Sequence, residues 1–254
     1  MLKVNRQEEL VVMCDEFGSL NVKEAAEELG VSEMTVRRDL DELAQAGRLV
    51  RVHGGARKPA DPASPMVGRE LAHTEKRALH VEDKERAAAL AAAMVCPGET
   101  VFIGTGTTME ALASQLPSGP LRVVTNSLSA FLQLRDRDDV DLCLIGGDYR
   151  ASTDAFVGPL AEQCVAALGL DLAFVGCNGV GPDGISTSNA EEGRLQNVVL
   201  ERSERRVAVC DGSKLGRRDF YTFFPVEGLD AVVCPGPADP DRLAALGERT
   251  QVIR

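Results

Sequence analysis

Two neighbouring arginines, Arg37 and Arg38, lie in the run VKEAAEELGVSEMTVRRDLD that spans residues 22–41. A guanidinium presents a planar fork of donors, which pairs in two-point fashion with a guanine edge or grips a phosphate. A second concentration of chemistry is Gly104-Thr105-Gly106-Thr107-Thr108. Glycines let a backbone approach an anion closely, and hydroxyls add donors. The N-terminus of a following helix supplies free N–H groups and positive potential. Such a loop makes a phosphate cradle, and the same residues would equally make an ordinary Thr-capped helix start. A dinucleotide fingerprint fits less well, because Met109 stands where a third Gly or Ala is wanted. A P-loop is excluded, since no Gly-Lys-Ser/Thr follows.

These groups need elements to aim them. Ala26, Gly30 and Val36 fall at positions 5, 9 and 15 of a twenty-residue helix-turn-helix. A small residue at Ala26 allows close crossing, Gly30 can take the left-handed turn conformation, and Val36 plugs the angle between helices. Ser32 is a good N-cap, and it opens the apolar-periodic run Val36, Leu40, Leu43. With that face inward, Ser32, Glu33, Met34, Arg37, Arg38 and Asp41 lie outward. Two helices joined this way place the second in the major groove of DNA. A helical hairpin with a solvated basic face is the plainer alternative. Residues 48–57, RLVRVHGGAR, alternate apolar and basic types and then turn on two glycines, the pattern of a hairpin. A hairpin after such a helix is a wing, and Arg51, His53 and Arg57 would reach phosphate or the minor groove.

A length of 254 residues allows one or two domains with ample core. No apolar run reaches bilayer length, and the N-terminus MLKVNRQEEL lacks an apolar signal core, so the expectation is a cytoplasmic protein without membrane contact. The seven cysteines are scattered, form no CxxC, and mostly lie in apolar runs, which predicts reduced core residues and no metal site. The net charge of -11 argues at first against a nucleic-acid partner. Its distribution softens the objection, since residues 31–58 carry six Arg/Lys against four Asp/Glu while residues 59–254 carry nineteen against twenty-eight. Local surface decides phosphate contact.

Residues 58–65, KPADPASP, hold three prolines and cannot sustain helix or central strand. The expected organisation is a DNA-binding domain over 1–57, a linker over 58–75 and a second domain over 76–254. In the second domain, strands expected at 100–104, 121–126, 140–147, 172–176, 206–211, 231–234 and 251–253 alternate with helices at 82–95, 108–116, 128–135, 159–168, 190–202 and about 240–246. Alternation with continuously apolar strands predicts a Rossmann-like parallel sheet covered by helices, in an α/β chain led by a winged helix-turn-helix. Ligands in such sheets bind at the carboxyl ends of strands. Those ends carry the Gly104–Thr108 loop, Asn126-Ser127, Gly146-Gly147-Asp148-Tyr149-Arg150, Asn178-Gly179 and Asp211-Gly212-Ser213-Lys214. Each alone reads as a turn. Together they bring Arg150, Lys214 and hydroxyls to one edge, which suits a small, anionic, hydroxyl-rich ligand such as a sugar phosphate.

The sequence VSEMTVRRDLDELAQAGRLVRVHGGA resembles the N-terminal pattern of the DeoR, or deoxyribonucleoside-repressor, family of bacterial regulators. GTGTTMEALA, VVTNSL, LIGGDYR, TDAFVGPLAE, DLAFVGCNGV and CDGSKLG resemble that family's sensor domain, so the likeness covers nearly the whole chain. It implies a sensor similar in fold to ribose-5-phosphate isomerase, a phosphorylated-sugar effector whose binding releases operator DNA, and no cofactor. The residues expected to contact double-stranded operator are Ser32, Met34, Thr35, Arg37, Arg38, Arg51 and His53. Those expected to hold the effector are Gly104, Thr105, Gly106, Thr107, Thr108, Asn126, Arg150, Asn178, Gly179, Arg194 and Lys214. One departure stands out: where the family often has Glu-x-Lys, this chain has Glu192-Gly193-Arg194.

An isomerase with a DNA-binding appendage is the competing reading, with Glu192 and Arg194 imitating a base and a polarising cation. The isomerase-like Asp-Gly-Ala-Asp-Glu is here Val175-Gly-Cys-Asn178-Gly179, and loss of the acids points to binding without turnover, hence no catalytic residues. An activator or architectural DNA binder blind to small molecules is a third reading, opposed by the polar strand ends. For the repressor reading, coupling of DNA to effector requires the sensor to assemble, as a homodimer or homotetramer.

Overall fold

The computed structural model describes residues 3–17, 19–45, 48–52, 55–57 and 76–254. His53, Gly54 and the expected linker over 58–75 lie outside the described residues. The chain divides into two compact units, Met1–Ser64 and Pro65–Arg254.

The first unit runs α1 (Lys3–Phe17), β1 (Ser19–Asn21), α2 (Val22–Leu29), α3 (Glu33–Gln45), β2 (Val50–Val52) and β3 (Gly55–Arg57). The expected helix pair is α2 and α3, joined through Gly30 at φ 64, the left-handed turn that only glycine takes without strain. Ala26, Val36, Leu40 and Leu43 are buried, together with Leu10 and Cys14 from α1. The wing strands β2 and β3 pair antiparallel, and β1 joins as a third strand on β3, with Leu20 opposite Ala56. Two ion pairs and one amide hydrogen bond tie α1 to α3. They are Arg6 Nε to Asp39 Oδ2 at 2.5 Å, Lys3 to Glu42 at 2.6 Å, and Gln7 Nε2 donating to Glu42 at 2.9 Å. Asp39 is 2% exposed, so the acid of the Arg-Arg-Asp-Leu run is a brace rather than a surface group.

The second unit opens with α4 (Val81–Ala92) and continues with β4 (Thr100–Ile103), α5 (Thr107–Gln115), β5 (Leu121–Thr125), α6 (Leu128–Leu134), β6 (Val140–Leu144), β7 (Asp148–Arg150) and β8 (Ala155–Val157). It then adds α7 (Pro159–Ala166), β9 (Leu170–Gly176), β10 (Gly179–Gly181), β11 (Gly184–Thr187), α8 (Ala190–Glu201), β12 (Ser203–Val209), β13 (Tyr221–Phe224), β14 (Ala231–Val233), α9 (Pro240–Gly247) and β15 (Gln251–Ile253). Seven strands form one sheet in the order β15-β14-β12-β9-β4-β5-β6, and every pair is parallel. Alternate residues feed opposite cores. Val101, Ile103, Leu172 and Phe174 face α4 and α5, whereas Phe102, Ala173 and Val175 pack with residues of α7 and α8. The chain starts in the middle at β4, proceeds outward to β6, and returns to the other side of β4 with β9. The order therefore reverses between β4 and β9, and a crevice forms outside the carboxyl ends at such a switch point.

The expected strands and helices are present, with ends displaced by a few residues. Two small antiparallel sheets, β7-β8 and β10-β11-β13, stand where only turns were expected. Their three- and four-residue strands are too short to carry a period, and the burial of β11 and β13 comes from packing on helix α8. Gly184, at φ 138, begins β11, where a Cβ would overlap the Phe224 carbonyl. Gly184→Ala should lower the unfolding free energy by roughly 2 kcal/mol or more, since strain and overlap add. Urea unfolding measures this, and a midpoint matching wild type would contradict the packing described.

The cysteine expectation needs correction. All seven are free, but only Cys14, Cys210 and Cys234 are buried; Cys177 is half-buried, and Cys96, Cys143 and Cys164 are exposed. Cys143 lies on β6, an edge strand that is paired on one side only, so an apolar run there does not imply burial. Among the described residues, no helix is long and apolar enough to cross a membrane.

Candidate functional site

On the first unit, α3 presents its outward face as expected. Ser32 Oγ accepts from Thr35 N at 3.2 Å and shares a hydrogen bond with Thr35 Oγ1 at 2.9 Å, closing the helix start. Thr35 is thus engaged in the cap. Met34 is 75% exposed, a large apolar side chain set among polar ones. The Arg38 side chain is 83% exposed, with Glu42 3.9 Å away, and Arg37 pairs with Glu33 at 3.3 Å. Pairs of this exposed kind are worth about 0–1 kcal/mol, so they yield readily to a phosphate or base. Arg51 turns back from the wing, with Nε on Asp41 Oδ1 at 2.7 Å and a further bond to the Gly55 carbonyl. It braces β2 against α3.

On the second unit, the loop after β4 is pinned to β9: Gly104 N donates to the Phe174 carbonyl at 2.9 Å, and Thr105 is buried. Helix α5 begins at Thr107 with Gly106 as N-cap, and no side chain caps it. This differs from a Thr-capped helix start. The first amides of α5 keep their donors, and the positive end of the helix dipole faces Glu110, a buried acid of the first turn.

Cations gather near this terminus. Lys84, on α4, is 8% exposed, and its Nζ donates to the Lys76 carbonyl. Burial, the largest influence, lowers the Lys84 pKa; Asp211 pulls it back up, while Lys214 and Lys76 lower it further. Lys76 Nζ donates to Asn178 Oδ1 at 3.3 Å, and Arg77 pairs at 2.9 Å with Glu110, a buried residue of α5. Asp211 caps the short turn Gly212–Lys214 by accepting from Ser213 N at 2.9 Å. Burial alone would push the Asp211 carboxyl up, but Lys214, Ser213 and His80 outweigh it and hold the group below its usual value. Four cations thus stand with two carboxylates at the ends of β4, β9 and β12. The surplus is positive in a partly dehydrated place, where charge acts more strongly than in water.

The other expected residues separate. Asn178 also donates Nδ2 to Ser188 Oγ at 3.2 Å and Asp219 Oδ2 at 2.9 Å. Gly179 lies where a Cβ would come 2.5 Å from the Arg217 carbonyl. Asn126 is buried and donates Nδ2 to the Phe156 carbonyl at 2.9 Å, which holds β8 against the end of β5. Arg150 sits 3.8 Å from Glu192, whose carboxylate also accepts from Thr153 Oγ1. Arg194 is half-exposed and pairs with Glu162 of α7 at 3.4 Å, so Glu192 and Arg194 point to different partners.

Lys76, Arg77, Lys84 and Glu110 were not among the expected residues. Lys84 carried a signal. It occupies the same helical stripe as Ala87, Ala88 and Ala91, all of them buried, and a lysine on the apolar face of an alanine-rich helix asks for a reason. Lys76 and Arg77 precede α4 in sequence without period and gave none.

Residues 6–61 match the DeoR-like helix-turn-helix domain, and residues 79–235 match the DeoR C terminal sensor domain. The chain is 36% identical to the lactose phosphotransferase system repressor of Lactococcus lactis subsp. lactis, over 100% of this chain and 99% of that one. It is 34% identical to the lactose phosphotransferase system repressor of Streptococcus mutans serotype c, over 100% of both. Among solved structures, it is similar to the full-length sorbitol operon regulator SorC from Klebsiella pneumoniae, at 12% identity over 97% of this chain and 99% of that one, with a TM-score of 0.38. It is also similar to ribose 5 phosphate isomerase A from Neisseria gonorrhoeae, at 24% identity over 52% of each chain, with a TM-score of 0.37.

Proposed function

This chain belongs to the DeoR family of regulators, and from that premise we propose that it is a cytoplasmic repressor of a sugar-metabolism operon, released from double-stranded operator DNA by a phosphorylated sugar. The observation that carries the effector half is the convergence of Lys76, Lys84 and Lys214 near the uncapped start of α5. A phosphate there gains charge-assisted hydrogen bonds, each roughly twice as strong as a neutral one. A free sugar gains little from the same groups. The names of the relatives, lactose phosphotransferase system repressors, favour a sugar that enters metabolism phosphorylated.

Release follows from linkage. An effector that prefers a sensor conformation unfit for DNA lowers DNA affinity by the ratio of its own affinities for the two states. Such coupling is typically about 1–3 kcal/mol, or roughly 5–150-fold. Two heads on one palindromic operator would multiply the effect, so the sensor is proposed to form a homodimer or homotetramer.

The test is titration of the full chain onto duplex DNA from the promoter region beside its own gene, against matched sugar phosphates and free sugars. Thr107→Ala with Thr108→Ala should bind DNA normally and resist release. Equal release by both ligand forms, or normal release of the double variant, would remove the phosphate reading. The site is proposed to bind without turnover, because Asn178 and Gly179 stand where an isomerase needs acids. Incubation with pentose and hexose phosphates should give no enzyme-dependent product. Product that disappears in Glu192→Gln would make this an enzyme.

A further inference from the structure

Three cysteines stand side by side at the carboxyl ends of neighbouring strands. In the parallel register Val209 of β12 lies opposite Gly176 of β9 and Val233 of β14. The next residue on each strand is a cysteine: Cys177, Cys210 and Cys234. The ladder continues through two of them, with Cys210 N donating to the Val233 carbonyl at 3.0 Å and Cys234 N to the Ile253 carbonyl at 2.9 Å, while Cys177 follows directly on the last paired residue of β9. Side chains alternate along each strand, and Val175, Ala208 and Val232, two positions earlier, all face the core beneath α7 and α8. The three thiols therefore share that face, and all three pack in that core. Cys210, in the middle, feels both neighbouring thiols, and they together with burial hold its own thiol well above the usual value.

This row does not suit a metal. Strands are spaced about 4.8 Å apart, so the outer two sulfurs lie roughly 10 Å from one another and cannot close on one ion. Among the described residues, no group of three or more His, Cys, Asp or Glu is disposed to hold one. Neighbouring members of the row suit each other. Their strands set the Cα atoms about 4.8 Å apart, within the roughly 4.4–6.8 Å that a disulfide spans. Access is graded as well, since Cys177 is half-buried whereas Cys210 and Cys234 are 2% and 0% exposed.

From this arrangement we infer that Cys177 and Cys210 form a peroxide-responsive thiol pair at the edge of the sensor site. A hydroperoxide oxidises Cys177 to the sulfenic acid and leaves as the alcohol, or as water when it is hydrogen peroxide. The Cys210 sulfur then attacks the Cys177 sulfur, the S–O bond breaks, and the hydroxyl leaves with the Cys210 proton as water. One peroxide is reduced by two electrons, and one disulfide is made. The bond joins the strand ends that carry Asn178 and Asp211–Lys214, so oxidation draws together two groups beside the cation cluster. The effect on DNA release rests on the phosphate-site reading, whereas the chemistry at sulfur does not.

The experiment uses the full chain with its exposed thiols removed as Cys96→Ser, Cys143→Ser and Cys164→Ser. After hydrogen peroxide treatment, denaturation and alkylation, two of the remaining four thiols should be missing. Peptide mapping should find Cys177 linked to Cys210, and a dithiol reductant should restore all four. Adding Cys177→Ser should abolish the loss. Adding Cys210→Ser should leave Cys177 as a sulfenic acid trapped by dimedone. The proposal is overturned if all four thiols survive, if Cys177 advances to sulfinic acid without a cross-link, or if Cys177→Ser loses thiols like its parent. With the cross-link in place, release by sugar phosphate should shift at least severalfold. An unchanged release midpoint would discard the regulatory consequence and leave the thiol chemistry standing.

Discussion

Replacing Arg37 and Arg38 together by alanine should abolish operator binding at protein concentrations that saturate wild type, while the first unit stays folded. Each lost base or phosphate contact costs about 1–3 kcal/mol. Two contacts in one head sum to about 2–6 kcal/mol, a loss on the order of thirtyfold to twenty-thousandfold. Stability should barely change, because both side chains are exposed and their partners Glu33 and Glu42 make only surface pairs. Anisotropy titration at fixed salt measures the loss, and urea unfolding checks the fold. The single variants divide the roles. A phosphate contact lowers the salt slope by about one and weakens all sequences alike, whereas a base contact relaxes preference at one position. If both single variants bind operator as wild type does, α3 is not the reading helix.

The second large effect is expected at Lys84. Lys84→Met should leave the protein as stable as wild type or more so, and should weaken release by sugar phosphate roughly tenfold to a hundredfold. The stability half follows from burial: 8% exposure disfavours the charged form, and methionine fills nearly the same space without charge. The Lys76 carbonyl that accepts from Lys84 belongs to a half-buried residue, so water can replace the lost donor. The binding half follows from removing one charge-assisted contact to phosphate, worth about 1.5–3 kcal/mol. Wild-type release by the same ligand would exclude Lys84 from the site. A large fall in the urea midpoint would make the lysine structural instead.

The sequence was most legible where the determinants are local. Ser32, Val36, Leu40 and Leu43 announce α3 because a cap and a 3.6-residue period lie within one element. The positions of the large strands were legible for the same reason, since each is a short apolar run that ends on glycine or a polar turn, whereas their order in the sheet was not. What stayed hidden depends on distant partners. Nothing in the sequence marks Asp39 as buried, yet Arg6, from another helix, pairs with it at 2% exposure. Asn126 read as a ligand group, yet its amide is engaged with the Phe156 carbonyl thirty residues on. Arg194 read as a substitute for the family's lysine, and only the packing of α8 beside α7 gives it Glu162. The antiparallel strands β10, β11 and β13 had no period to show, because their burial is conferred by one another and by helix α8, which lies against β11 and β13.

Lys76 is the first described residue of the second unit, and it is bonded through its side chain to Asn178 and through its carbonyl to Lys84. The start of the segment that leads into α4 is thereby fastened to residues beside the proposed phosphate. Groups that would meet the rest of a sugar, Arg150, Thr153 and Glu192, belong to other elements and to a separate set of bonds. In evolutionary terms the arrangement is modular. If the proposed site is right, drift in the hairpin β7-β8 or the first turn of α8 would exchange one sugar for another while Lys76 keeps its partners. A lineage of regulators can thus acquire new inducers by changing the reader of the sugar without rebuilding the trigger.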